Sequence, residues 1–103
     1  MFSVTAYAVV SAVLFGLGVF GALARRNAVA VLISVELMLA AAALNFVSFS
    51  RLYPAQQGVA GQVFALFIIA IAAAETIVAL ALVLSLHRST GSANLDRFNI
   101  LKW

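Results

Sequence analysis

The sequence predicts an all-α integral membrane protein with three transmembrane helices, and three observations carry that prediction. Of its 103 residues, 66% are hydrophobic and 9% charged, against roughly 45–50% apolar and about 25% charged in a soluble domain. The apolar residues fall into three long runs, each at or above the roughly 20 residues that cross a hydrocarbon core. The basic residues gather at the ends of those runs, where membrane topology accounts for them. Helices are the form expected, because three segments cannot close a β-barrel and lipid offers no partner to open backbone groups.

The first run covers about 4–24. Its opening, MFSVTAYAVV, lacks the basic region of a secretory signal, and the apolar stretch is too long for one, so it reads as a retained first helix. Arg25, Arg26 and Asn27 follow. The second run covers about 28–49 and ends at Ser50 and Arg51. A polar stretch, 52–61, holds the only proline, Pro54, with Gln56, Gln57 and Gly58, and reads as a turn. The third run covers about 62–86, and a polar tail is expected over 87–103. The whole, 1–103, reads as a single membrane domain. Short connections make the helices run up, down and up. One side then carries Arg51, and the other carries Arg25, Arg26, Arg88, Arg97 and Lys102. The positive-inside rule makes the richer side cytoplasmic, which predicts a periplasmic N-terminus and a cytoplasmic C-terminus.

Several function classes drop out. With no cysteine there is no disulfide framework, thiolate metal site or cysteine-ligated iron–sulfur cluster. The single histidine, His87, cannot build a bis-histidine haem site or a multi-histidine zinc site. The net charge of +3 is spread over helix ends and is not a nucleic-acid signal. Gly16, Gly18 and Gly21 spell GxGxxG, but a dinucleotide fingerprint needs a strand before it and an open phosphate-facing turn. Inside a membrane helix these glycines read as packing positions. No nucleophile–base pair, flavin or quinone signature appears.

The candidate site is a pair of acids. Glu36 and Glu75 are two of the three acidic residues, and each lies deep in an apolar run. An ionised carboxylate at the centre of a membrane helix costs about 2.5–3.5 kcal/mol on insertion scales. Glu36 is roughly 12 Å from the start of its run and Glu75 roughly 17 Å from the end of its own, at 1.5 Å per residue. That matched depth favours a proton-relay role for both. The competing reading is two neutral carboxyls that merely hydrogen-bond a neighbour. Ala40 and Ala43 share the Glu36 face by helical spacing, Ala72 and Ala79 that of Glu75, and Ser11, Gly18 and Ala22 form a stripe in the first helix. Small residues of this kind let membrane helices approach. Asn45, deep in the second run, is expected to hydrogen-bond across helices. His87 reads as interfacial and Asp96 as solvated.

Three stretches, RRNAVAVLISVELML, GQVFALFIIAIAAAE and the ending FNILKW, together resemble the K-subunit family of NADH:quinone oxidoreductase, respiratory complex I. The resemblance implies a three-helix membrane-arm subunit of a hetero-oligomer. Its neighbours would be antiporter-like and quinone-proximal subunits within the lipid bilayer. It implies that Glu36 and Glu75 belong to a carboxylate chain between the quinone region and the pumping subunits. Arg25 and Arg26 match a cytoplasmic basic pair, with a coupling or topological role. NADH, FMN, iron–sulfur clusters and quinone would be bound by other subunits, and no cofactor by this one. The expected location is a bacterial plasma membrane, with a photosynthetic membrane second. One departure is that Ala40 and Ala43 stand where the family usually carries asparagine, while Asn45 remains. Two alternatives stay open: the small subunit of a multisubunit Na⁺/H⁺ antiporter, and a purely structural helical spacer.

Overall fold

The structure is a computed structural model that describes residues 3–91. These residues form three helices, α1 (Val4–Ala24), α2 (Ala28–Ser50) and α3 (Ala55–Thr90), each long and apolar enough to cross a membrane. Asp96, Arg97, Lys102, Trp103 and the FNILKW ending lie outside the described residues.

Local chemistry sets the helix ends. The Ser3 hydroxyl accepts the Ala6 N–H at the start of α1. Arg25 leaves the helix in an extended conformation while its N–H still reaches the Gly21 carbonyl. Two residues later, Asn27 Oδ1 accepts the N–H groups of Val29 at 2.9 Å and Ala30 at 3.3 Å. That cap satisfies donors that α2 cannot satisfy internally. At the far end of α3, Gly91 adopts a left-handed φ of 74° and returns its N–H to the His87 carbonyl at 2.6 Å. This is the glycine-type helix stop.

The third helix is longer than expected at both ends. It starts at Ala55, not near residue 62, and His87 and Arg88 form its last turn rather than the start of a tail. Pro54 stands just before the first helical residue, and its carbonyl accepts the N–H groups of Gln57 and Gly58. Gly58 and Gly61 are therefore helical, and they lie against the end of α2. A Cβ on Gly58 would sit 2.6 Å from the Ser50 carbonyl oxygen, and one on Gly61 2.8 Å from that of Phe46. The residues that read as a turn thus serve close contact, reinforced by the Phe46 and Phe64 rings at 5.9 Å. At 1.5 Å per residue α3 spans roughly 54 Å, more than a bilayer core of about 30 Å.

The main packing is α1 on α2 and α2 on α3, so α2 is the middle helix. The interior is built of small residues: Ser11, Gly18, Ser34, Ala41, Ala43, Ser48, Ala65 and Ala72 are buried. Large apolar side chains such as Phe20, Leu23 and Ile77 point outward. In lipid there is no hydrophobic gain from hiding a leucine, so close backbone approach decides which faces meet. Between α1 and α2 the Ser11 hydroxyl donates to the Ala41 carbonyl at 2.6 Å. A Cβ on Gly18 would come within 2.7 Å of the Ser34 carbonyl oxygen. The stripe of Ser11, Gly18 and Ala22 thus faces α2, with Ala22 half-buried.

Candidate functional site

Glu36 lies on the face of α2 that meets α3. It is half-buried and opens into a groove of about 290 Å³ bordered by Leu39, Ala40, Ile68, Ala72 and Ala73. Its Oε1 is 2.5 Å from the Thr76 hydroxyl. The same hydroxyl lies 2.8 Å from the Ala72 carbonyl one turn earlier.

Glu75 does not join this groove. It is exposed on another side of α3, beside a groove of about 300 Å³ bordered by Ala74, Val78, Ala79 and Leu82. The expectation that Ala72 shares the Glu75 face is corrected here. Gly58, Gly61, Ala65, Ile68, Ala72, Thr76, Ala79, Val83 and Leu86, at helical three- and four-residue steps, are the buried or half-buried positions of α3. Ala72 and Ala79 belong to that stripe, and Glu75 stands about 100° of helical rotation from Thr76. Ala79 also borders the Glu75 groove, so it lies at the edge between the two faces.

The expected match in depth follows from the same contact. Thr76, adjacent to Glu75, reaches the Glu36 carboxyl, so both acids lie at nearly one level of the helix pair. Neither acid is buried by this chain's own fold.

The remaining expected residues fall as follows. Arg25 and Arg26 are exposed on the link between α1 and α2, just before the start of α2 at Ala28, which is roughly 12 Å along the helix axis from Glu36. His87 is exposed in the last turn of α3. Ala40 borders the Glu36 groove, whereas Ala43 is buried. Asn45 departs from expectation: its Oδ1 is buried without a hydrogen-bond partner among the described residues, an exception to the usual satisfaction of such groups. It borders a largely aromatic groove of about 540 Å³ that includes Phe46, Phe49, Tyr53 and Phe64. Among the described residues no group of three or more His, Cys, Asp or Glu comes together.

Thr76 is the residue the sequence reading missed. The available signal was its position four residues after Ala72, on the stripe of small residues.

Residues 6–103 match the family described as NADH-ubiquinone/plastoquinone oxidoreductase chain 4L. The chain belongs to that family. A protein named NADH-quinone oxidoreductase subunit K from Desulfitobacterium hafniense is 48% identical over 101 residues, covering 94% of this chain and 92% of its own. An NAD(P)H-quinone oxidoreductase subunit 4L of the organellar chromatophore of Paulinella chromatophora is 49% identical over 98 residues, covering 95% and 94%. A subunit K from Brevibacillus brevis is 46% identical over 102 residues, covering 97% and 96%. The resemblance seen in the sequence therefore holds for nearly the whole chain. With three spanning-length helices, this is a membrane-embedded subunit of the NADH-quinone oxidoreductase family. Its relatives include bacterial, cyanobacterial and chloroplast proteins.

Proposed function

We propose that this chain works in the membrane arm of a proton-translocating NADH:quinone oxidoreductase, where Glu36 of α2 and Glu75 of α3 are protonatable stations. The observation that carries the reading is the placement of the two acids. They lie at nearly one level of the α2–α3 pair, each beside its own groove in apolar surroundings.

A carboxyl between α2 and α3 and a second one facing outward make two steps of a lateral path. The outward step requires cover. An acidic side chain turned toward lipid is costly, and such residues face a bundle interior, a watery cavity or a partner. A neighbouring subunit against the Glu75 face of α3 supplies that cover, and another completes the wall of the Glu36 groove. The proposed neighbours are the antiporter-like subunits on one side and the quinone-proximal subunits on the other. Quinone reduction elsewhere in the complex alters local charge or hydration, and Glu36 and Glu75 respond by losing or taking up a proton. NADH, flavin, iron–sulfur clusters and quinone are assigned to other subunits.

Arg25 and Arg26 hold the α1–α2 link on the cytoplasmic side, with the N-terminus periplasmic, as the distribution of basic residues supports. A bacterial plasma membrane is the proposed location, supported by the Desulfitobacterium and Brevibacillus relatives. Fractionation of the source cells separates it from a photosynthetic membrane.

Glu36→Gln and Glu75→Gln in the assembled complex put the relay to the test. Each keeps the side-chain shape and removes ionisation. The relay reading expects quinone-coupled pumping to fall in both variants while the complex still assembles. Normal pumping in both would leave the chain as a helical spacer.

A further inference from the structure

We propose that Thr76 is a positioning residue for Glu36, a hydroxyl rotor that points to the Ala72 carbonyl when Glu36 is protonated and to Glu36 when it is ionised. The inference rests on the reading of Glu36 as a protonatable station.

A threonine hydroxyl has one proton to donate and two lone pairs to accept with. Here Oγ1 lies 2.5 Å from Glu36 Oε1 and 2.8 Å from the Ala72 carbonyl oxygen. Both are hydrogen-bond distances. A carbonyl only accepts, and an ionised carboxylate only accepts. With Glu36 ionised, one proton faces two acceptors and can be aimed well at only one of them. With Glu36 neutral, the carboxyl O–H donates to Thr76 Oγ1 and the Thr76 O–H donates to the Ala72 carbonyl. Every proton then has an acceptor. Both contacts coexist without competition only in that neutral form.

Loss of the Glu36 proton redirects the rotor. The Thr76 O–H turns from the backbone to the new carboxylate, with a rotation about one bond and no helix movement. The Ala72 carbonyl keeps its helical partner, the N–H of residue 76, so the turn leaves no backbone group bare. Thr76 keeps its own proton in both states, and the proton exchanged is that of Glu36. The hydroxyl thereby serves the ionised acid as a water would in a groove bordered by Leu39, Ala40, Ile68, Ala72 and Ala73. A purely structural threonine would bond back to the i−4 carbonyl whatever the state of Glu36, a common habit of helical Ser and Thr.

The experiment uses the assembled complex with Thr76→Val, which keeps the branched shape and deletes the hydroxyl, and Thr76→Ser, which keeps the hydroxyl. Infrared difference spectra during turnover report the Glu36 carboxyl band, identified by its loss in Glu36→Gln. The expected result in Thr76→Val is a shift of that band to higher wavenumber, with quinone-coupled pumping reduced about tenfold to a hundredfold, the order for losing one hydrogen bond to a charged group. Thr76→Ser restores both. In a Glu36→Gln background Thr76→Val adds no further loss, as for two residues acting through one contact. An unmoved band, or a Thr76→Val penalty that persists undiminished in the Glu36→Gln background, overturns the proposal. If valine impairs assembly, Thr76→Ala replaces it: a shifted band in alanine but not in serine supports the rotor, and the same band in both overturns it. Failure of the station reading looks different, since Glu36→Gln would then pump normally whatever Thr76 does.

Discussion

Gly18→Ala is the sharpest probe of how the helices pack. A Cβ added there would lie 2.7 Å from the Ser34 carbonyl oxygen, 2.6 Å from Met38 Cγ and 3.2 Å from the Met38 backbone nitrogen. The methionine chain can swing away, but the two backbone atoms of α2 cannot. Ordinary contact begins near 3.4 Å, so α1 must back off by roughly 0.7 Å, and overpacking of this kind costs about 1–3 kcal/mol. The displacement also stretches the 2.6 Å bond from Ser11 to the Ala41 carbonyl, and interhelical bonds in membranes contribute about 0.6 kcal/mol on average. Gly16→Ala is the matched control, because nothing lies within 4 Å of its Cβ. There the better helix propensity of alanine, worth up to about 1 kcal/mol, leaves stability unchanged or slightly raised. Thermal dissociation of the purified complex, read as retention of this subunit, compares the two. A loss of retention at lower temperature for Gly18→Ala alone is expected. Equal behaviour of the two variants would refute the close approach of α1 and α2.

Other consequences follow from the same geometry. Ser11→Ala removes a buried hydroxyl donor and should weaken the α1–α2 pair by about 0.6–1.7 kcal/mol, seen in the same dissociation assay. Asn27→Ala deletes the acceptor for two α2 N–H groups and should cost about 0.5–2 kcal/mol, with faster hydrogen exchange confined to the first turn of α2. Gly61→Val should separate the start of α3 from the end of α2, read as loss of a cross-link between cysteines placed at Phe46 and Phe64. The chain has no native cysteine, so single cysteines at Ser3 and Ser89 can report sidedness. Labelling of Ser3 from the periplasm and Ser89 from the cytoplasm is expected, and the reverse pattern would invert the proposed topology.

The three helices were readable because run length and composition decide them in a membrane protein. Their first two boundaries were readable as well, since Arg25 to Asn27 and Arg51 interrupt the apolar runs. The start of α3 was not, because Gln56, Gln57 and Gly58 carry the composition of a turn, and the close approach of Gly58 to Ser50 that suits this stretch as a helix is a tertiary contact. The rotation of α3 was harder still. It is apolar nearly all round, so no contrast between polar and apolar faces sets which side meets α2. The stripe through Gly58, Ala65, Ala72 and Thr76 sets it, but alanine is so common here that the stripe does not stand out by composition. Glu36 and Glu75 were legible as candidates because acids are rare in such runs. Their facing in different directions, with Thr76 and not Glu75 beside Glu36, depends on that rotation and emerges only from the packed helices.

Infrared difference spectroscopy on the assembled complex during NADH-driven quinone reduction addresses proton exchange by these acids most directly. The account predicts carboxyl bands that change with turnover, one absent in Glu36→Gln and another absent in Glu75→Gln. Spectra of the wild type and both variants that show the same carboxyl changes would contradict it.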